Sequence, residues 1–249
     1  MRTVAAIQVR LGSTRLPGKV LKEISNRPIL GHLVRRLRKC RNLDDIVVST
    51  SLLPENDPIA LFCEQEGLHC YRGSEEDVLG RMLECLQAAN ANTGVVVFGD
   101  CPLIDPLIVD EMVKAFWDSD DLDFLGNDLR TTYPPGMEVE VFRVEALADS
   151  AIRTNDADIR EHGTLYMRLH PEKYRLKNIE APTRYARPDL LLGLDTWEDL
   201  EIITAVFHHF GDEQNFGLTD IIKFLDCHPS LKKKNQDVVR RWRQYRQDQ

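Results

Sequence analysis

IQVRLGSTRLPGK, residues 7–19, is the stretch on which the reading of this chain turns. The apolar run that leads into it, Thr3 to Val9, is short enough for one buried strand. The stretch then becomes polar. Its two glycines, Gly12 and Gly18, together with Pro17, predict an irregular loop rather than a helix. Arg10, Arg15 and Lys19 put three cations into ten residues. Gly12, Ser13 and Thr14 are small and leave backbone N–H groups open to a ligand. Such a loop, with cations beside it, suits a polyanion such as a nucleotide triphosphate. A plain surface turn carrying solvated basic residues fits the same composition.

The P-loop is the obvious rival. It requires G-x-x-x-x-G-K-[ST]. Here five residues separate Gly12 from Gly18, and Val20 follows Lys19 where a magnesium-binding hydroxyl belongs, so the P-loop is rejected. Directly after a first strand, R-x-x-S-T-R-L-P-G-K resembles the N-terminal signature of the cytidylyltransferases that activate acidic sugars. These include the 3-deoxy-manno-octulosonate cytidylyltransferases and, more closely still, the spore coat polysaccharide biosynthesis protein F group. The resemblance implies that Arg10, Ser13, Thr14, Arg15 and Lys19 wrap the triphosphate. It speaks to the reaction class more than to the sugar.

Length and composition set the frame. The chain has 249 residues, enough for one large α/β domain with a sizeable core. We expect a single nucleotidyltransferase domain over residues 1–249 with a helical C-terminal extension from about residue 206. The net charge of −8 argues against nucleic acid as a partner and requires cations to be concentrated locally around an anionic substrate. No apolar run is long enough to cross a bilayer, and MRTVAAIQVR is too short in apolar residues for a signal peptide. Six widely spread cysteines without a C-x-x-C pair suit reduced thiols. A cytoplasmic location without membrane attachment is expected. His69 with Cys70, and His208 with His209, have no second close pair, so packing is preferred to zinc.

Read in order, the chain alternates strands with helices. Ile29–Cys40 has apolar residues at helical spacing, and its Arg35, Arg36, Arg38 and Lys39 are expected on a solvated face. Ile46–Ser49 reads as a strand and Ile59–Glu66 as a helix ending at Gly67. A helix follows to about Ala89, with Ser74 as its N-cap and Asp77 three positions on in a variant capping box. GVVVF, residues 94–98, is an unbroken apolar run, as expected of a central parallel strand. Asp105 is placed as the cap of a helix over Pro106–Trp117. In YPPGMEVEV, residues 133–141, a turn precedes a strand with Val139 and Val141 on one face and Glu138 and Glu140 on the other. LLLGL, residues 190–194, reads as a second continuous apolar strand, followed by a helix capped by Thr196 with Asp199 at the third position. From Leu218 two helices flank His228-Pro229, and Lys232, Lys233, Lys234, Arg240, Arg241, Arg243 and Arg246 make this tail basic, chiefly as solvated faces. The fold expected is α/β, a three-layer sandwich with a mainly parallel sheet. The resemblance implies the nucleotide-diphospho-sugar transferase type.

In open α/β sheets ligands sit at the carboxyl ends of the strands. Asp100 follows the Gly94 strand there and has a clear use in holding magnesium against phosphate oxygens, with a turn or cap as the plain alternative. If the Leu190 strand lies beside it, Asp195 can share that Mg2+. The resemblance points the same way, through G-D-x-P-L-I and L-D-T-x-E-D-L. Ser74, Asp77 and Arg81, at a helix N-terminus, are candidate nucleotide contacts along with Gly12, Ser13 and Thr14. Glu138 and Glu140 either receive acceptor hydroxyls or form the wet face of an edge strand. R-E-H-x-T looks like a patch of the spore coat group, which makes Arg160 and His162 acceptor-binding candidates; an ordinary solvated helix face is the alternative.

The expected reaction is CTP plus an acidic or phosphorylated sugar-like acceptor giving a cytidylylated product and pyrophosphate. Arg10, Arg15, Lys19 and Asp100 are the catalytic set. Phosphoryl-type transfer of this kind needs positioning and charge neutralisation more than a covalent nucleophile. Homodimerisation is implied by the resemblance alone. A UTP- or GTP-using relative would share the phosphate chemistry. A glycosyltransferase of similar fold would more typically carry a D-x-D motif, which Gly99-Asp100-Cys101 does not supply. An inactive binding module would not need the acids and the cations together.

Overall fold

A computed structural model describes residues 1–211 and 215–240. The tail's Arg241, Arg243 and Arg246 therefore lie outside the described residues. The elements run β1 (Thr3–Gln8), β2 (Glu23–Ile24), β3 (Arg27–Pro28), α1 (Ile29–Leu37), β4 (Asp45–Ser51), α2 (Asp57–Gln65), β5 (His69–Gly73) and α3 (Val78–Ala88). They continue with β6 (Thr93–Phe98), α4 (Pro106–Trp117), β7 (Phe124–Gly126), β8 (Glu140–Arg143), α5 (Val144–Arg153), α6 (Ala157–Glu161) and α7 (Leu165–Leu169). β9 (Leu176–Asn178), α8 (Trp197–Phe210), α9 (Leu218–Asp226) and α10 (Pro229–Lys232) complete them. β2 and β3 form a small antiparallel hairpin.

The other strands make one sheet in the order β5-β4-β1-β6-β8-β7-β9. Every neighbouring pair is parallel except those made by β8, which runs antiparallel to both β6 and β7. Side chains alternate along a strand. Ala5, Ile7, Val95 and Val97 thus join one core layer, with apolar residues of α1, α4, α8 and α9. Val4, Ala6 and Val96 join the other, with α3 and α5. Each such buried valine, leucine or isoleucine contributes about 1.5–3 kcal/mol relative to exposure. Ile221, Ile222 and Leu225 of α9 belong to the first of these cores, so that tail helix is packed on the domain. Among the described residues no helix is long and apolar enough to cross a membrane.

Several local expectations need correction. Arg36 is not on a wet face: it is fully buried, its Nε donating to the Ile104 carbonyl at 2.6 Å and its Nη2 to the Phe216 carbonyl at 3.0 Å. A helix can bury a guanidinium when backbone carbonyls receive its N–H groups. Residues 190–194 form no strand, although Leu190, Leu191, Leu192 and Leu194 are buried. Their backbone bonds go to loops, Leu192 N to Pro135 O at 2.6 Å and Leu194 N to Asp100 O at 2.8 Å. Gly136 makes this docking possible, since a Cβ there would lie 2.5 Å from the Gly193 nitrogen. The strand carrying Glu140 is interior, not an edge, and Glu140 is buried.

Candidate active site

β1 and β6 pair in register up to Gln8 and Phe98, so the segments that follow both strands leave the sheet at one place. Gly99 N donates to the Gln8 carbonyl at 3.2 Å, and a Cβ on Gly99 would run into the Val9 side chain. That close approach sets Asp100 beside the loop that starts at Val9. The loop is tied down by Leu11 N donating to Asn56 Oδ1 at 2.8 Å. It re-enters regular structure through Gly18, whose φ of 64° favours glycine.

Lys19 is where distant segments meet. Its Nζ lies 2.6 Å from Asp100 Oδ2, 3.1 Å from Asp195 Oδ1 and 2.7 Å from the Leu194 carbonyl oxygen. Burial opposes the Lys19 charge, yet Asp100 and Asp195 outweigh it and hold its pKa above the ordinary lysine value. Arg15 Nη2 pairs with Asp195 Oδ2 at 3.1 Å. Asp199, three residues into the cap of α8, receives the backbone N–H groups of Asp195 at 2.8 Å and Thr196 at 2.9 Å. It also accepts Asn235 Nδ2 at 2.7 Å and a fork from Arg240 at 2.7 and 2.6 Å. Burial works against the Asp199 charge, but Arg240 and Asn235 hold its carboxyl below the usual range. Arg240 is only 4% exposed. The reading of this part of the tail as a solvated face is therefore corrected.

Of these groups Arg15, Asp100, Asp195 and Arg240 border a cleft of about 620 Å³, while Lys19, Asp199 and Asn235 hold them without joining its lining. At one end lie Gln8, Arg10 and Arg81; at another, Asp100, Asp195, Arg15 and Arg240; along the β8 side, Glu138, Glu140, His162, Thr164 and Arg168. Arg10 is exposed and pairs with Glu75 at 3.3 Å and Glu161 at 3.2 Å. Arg81 is buried and donates to the carbonyls of Ser74 and Glu75 and, at 3.4 Å, to Gln8 Oε1. Burial lowers its pKa from the ordinary arginine value. Arg168 Nη1 reaches both Asp128 and Glu140 at 3.0 Å, and Glu140 also accepts the Thr164 hydroxyl at 2.7 Å. Burial opposes the Arg168 charge, but those two carboxylates raise its pKa. Glu138 Oε2 accepts Gly136 N at 2.6 Å and so closes the turn ahead of β8.

Other sequence candidates stand outside the cleft lining. Gly12, Ser13 and Thr14 belong to the outer part of the loop, where Ser13 Oγ accepts Leu16 N at 3.4 Å. The N-cap of α3 is Asp77, not Ser74: Asp77 accepts Gly80 N at 2.8 Å, while Ser74 Oγ accepts Asp77 N at 3.0 Å. The cap shifts because Asp77, a good capping residue, sits immediately before the first helical residue. Arg160 forks onto Asp77 at 3.0 and 2.6 Å and donates to the carbonyls of Ala151 and Thr154 at 2.9 Å, bracing α6 against the start of α3. Burial opposes the Asp77 charge, but Arg160 lowers its pKa on balance.

Sequence reasoning missed Asp128, Arg168 and Arg240. A glutamate alternating with valines on a buried strand asks for a cation, but nothing in the spacing says that it is Arg168. Arg240 carried no signal at all, because its partner is 41 residues away.

Among the described residues no three His, Cys, Asp or Glu side chains gather as a protein-only metal site. The donor set of Asp100 and Asp195 nonetheless fits a cation of the magnesium type, which takes one or two carboxylates and leaves its other positions to water and phosphate.

Comparison with known proteins adds the family. A family profile described as cytidylyltransferase matches residues 4–220. The spore coat polysaccharide biosynthesis protein SpsF of Bacillus subtilis is 35% identical over 232 residues, 90% of this chain and 93% of that protein. The structure of a cytidylyltransferase from Leptospira borgpetersenii superposes with a TM-score of 0.88 at 30% identity, over 96% of this chain and all of that one. A CMP:2-keto-3-deoxy-manno-octonic acid synthetase complexed with CTP shares the fold with a TM-score of 0.63 at 18% identity, over 85% of this chain and all of that one.

Proposed function

The chain belongs to the cytidylyltransferase family, and from that premise we propose that it transfers CMP from CTP to an acidic or phosphorylated sugar-like acceptor and releases pyrophosphate. The single observation that carries the reading is the meeting of Asp100 and Asp195 on the Lys19 ammonium, at the edge of the sheet where the β1 loop begins. Three far-apart segments converge there on a group suited to phosphate chemistry. The acidic acceptor rests on the likeness of residues 10–19 to the acidic-sugar cytidylyltransferases.

In this reading an acceptor oxygen forms a bond to the α-phosphorus of CTP as the bond from that phosphorus to the β-phosphate oxygen breaks. Arg10, Arg15 and Lys19 neutralise the departing β- and γ-phosphates. Arg81, held between Gln8 and the entry to α3, lies at the nucleoside end. The acceptor takes the β8 side, where Glu138, Glu140, His162 and Arg168 border the cleft. Arg160 stands outside the cleft lining and acts at one remove, through its brace on Asp77 at the entry to α3. Asp100 and Asp195 would hold Mg2+, which when bound supplies charge neutralisation and polarisation of phosphate oxygens.

Losing one preorganised electrostatic contact typically costs about 2.7–4 kcal/mol of barrier. We expect Asp100→Ala, Asp195→Ala and Lys19→Ala each to cut turnover at least about a hundredfold. The assay is pyrophosphate release from CTP against nonulosonic acids, octulosonic acids, sugar phosphates and phosphonates. Near-normal turnover in any variant removes that residue from the scheme, and a chain that prefers UTP or GTP refutes the choice of base.

A further inference from the structure

Arg240 lies beyond the 4–220 span that the family profile matches, yet it borders the same cleft as Asp100 and Asp195. It is nearly fully buried, and its Nε is buried without a hydrogen-bond partner. Its other nitrogens fork onto Asp199, and Nη1 stands 3.7 Å from Asp195 Oδ2. The residue before it is also engaged, since the Val239 carbonyl accepts Arg15 Nη1 at 3.2 Å. Asn235 Nδ2 adds bonds to Asp199 and, at 2.9 Å, to the Leu191 carbonyl. The segment from Asn235 to Arg240 is thus pinned to the three pieces that build the phosphate end: the first loop, the 190–194 run and the cap of α8.

We infer that Arg240 is a positioning residue of the triphosphate site, fixing Asp195 through Asp199 and coupling the docking of residues 235–240 to the binding of CTP. This rests on the cytidylyl-transfer reading. The chemistry is direct. Asp199 holds the backbone N–H groups of Asp195 and Thr196, so whatever orients the Asp199 carboxylate orients the turn that presents Asp195. Charge acts in the same direction. Lys19, Arg15 and Arg240 oppose Asp100, Asp195 and Asp199, three cations against three carboxylates. Loss of Arg240 leaves two against three, a poorer receiver for a polyanion.

Coupling of this kind is reciprocal: what the docked segment does for CTP, CTP does for the segment. Two measurements on the full chain test it, both without acceptor. Calorimetry with Mg2+ and CTP compares the wild type with Arg240→Gln, the expectation being a Kd raised about tenfold or more. Hydrogen exchange of the wild type follows peptides over residues 235–240, which should exchange more slowly once Mg2+ and CTP are added. A wild type that binds no CTP sinks the cytidylyl-transfer reading itself. A wild type that binds CTP while Arg240→Gln binds it equally well overturns the role of Arg240. Unchanged exchange on saturation with CTP overturns it too, and decides alone if the variant does not fold.

Discussion

At the scale of single residues, the site keeps its charges by pairing them. Asp199 shows this most sharply, being almost fully buried and forked by Arg240. Its folded-state pKa is depressed, so the stability it contributes is complete above the ordinary carboxylate range. That contribution is lost only as pH falls through the depressed value. In Arg240→Gln the fork is gone while the Asn235 and backbone donors to Asp199 remain, so less of that stabilisation survives above the carboxylate range. The variant's thermal midpoint should lie below the wild type's at pH 7, and the gap should narrow at pH 3 as protonation removes what the fork contributes. Thermal denaturation at the two values checks this, and parallel behaviour of the two proteins would show that the fork does not govern the Asp199 charge. Lys19 is the complementary case. Its raised value means the ammonium persists through neutral pH despite its burial, so loss of its charge does not shape a neutral activity profile.

At the scale of elements, the junction of β1 with β6 governs the site. Gly99 sits where the two chains separate, with room for no side chain between Val9 and the Gln8 carbonyl. Gly99→Ala should destabilise by about 1–3 kcal/mol through overpacking. Because Asp100 is the next residue, turnover should fall further than the stability loss alone accounts for. Denaturant unfolding together with pyrophosphate release measures both, and an alanine variant with wild-type turnover would mean that the junction has slack. This junction was legible in the letters. Continuous apolar runs flanking a glycine and an acid point to a parallel strand and its carboxyl end, and the loop of residues 10–19 announced itself by charge and glycine. The 190–194 run misled because burial on all sides looks the same whether a ladder or loop carbonyls receive the backbone. Ser74 misled because two capping residues stood three apart. The Arg168 and Arg240 pairings were out of reach, since a buried acid states the need for a cation without saying which one supplies it.

At the scale of the whole molecule, one ligand should stabilise every segment that borders the cleft. Mg2+ with CTP at about a hundred times Kd adds about 2.7 kcal/mol to unfolding. For a chain of this size that corresponds to a rise of about 5–10 °C in Tm. Differential scanning fluorimetry with the four triphosphates checks it, and no shift with any of them would speak against a nucleotide site.

The reversed strand has a consequence of its own. β8 enters the sheet against the current, so its leading end, Glu140, pairs with Val96 near the place where β6 finishes. The approach to β8, from residue 127 to residue 139, is therefore delivered to the end of the sheet where β6 finishes, while the loop of residues 10–19 hangs from β1. The two halves of the cleft hang from different strands yet are laced together, because the 190–194 run that leads into Asp195 rests on Pro135 and Gly136 of that approach. Any reshaping of the approach segment therefore has to keep residues 135 and 136 if Asp195 is to stay beside Lys19.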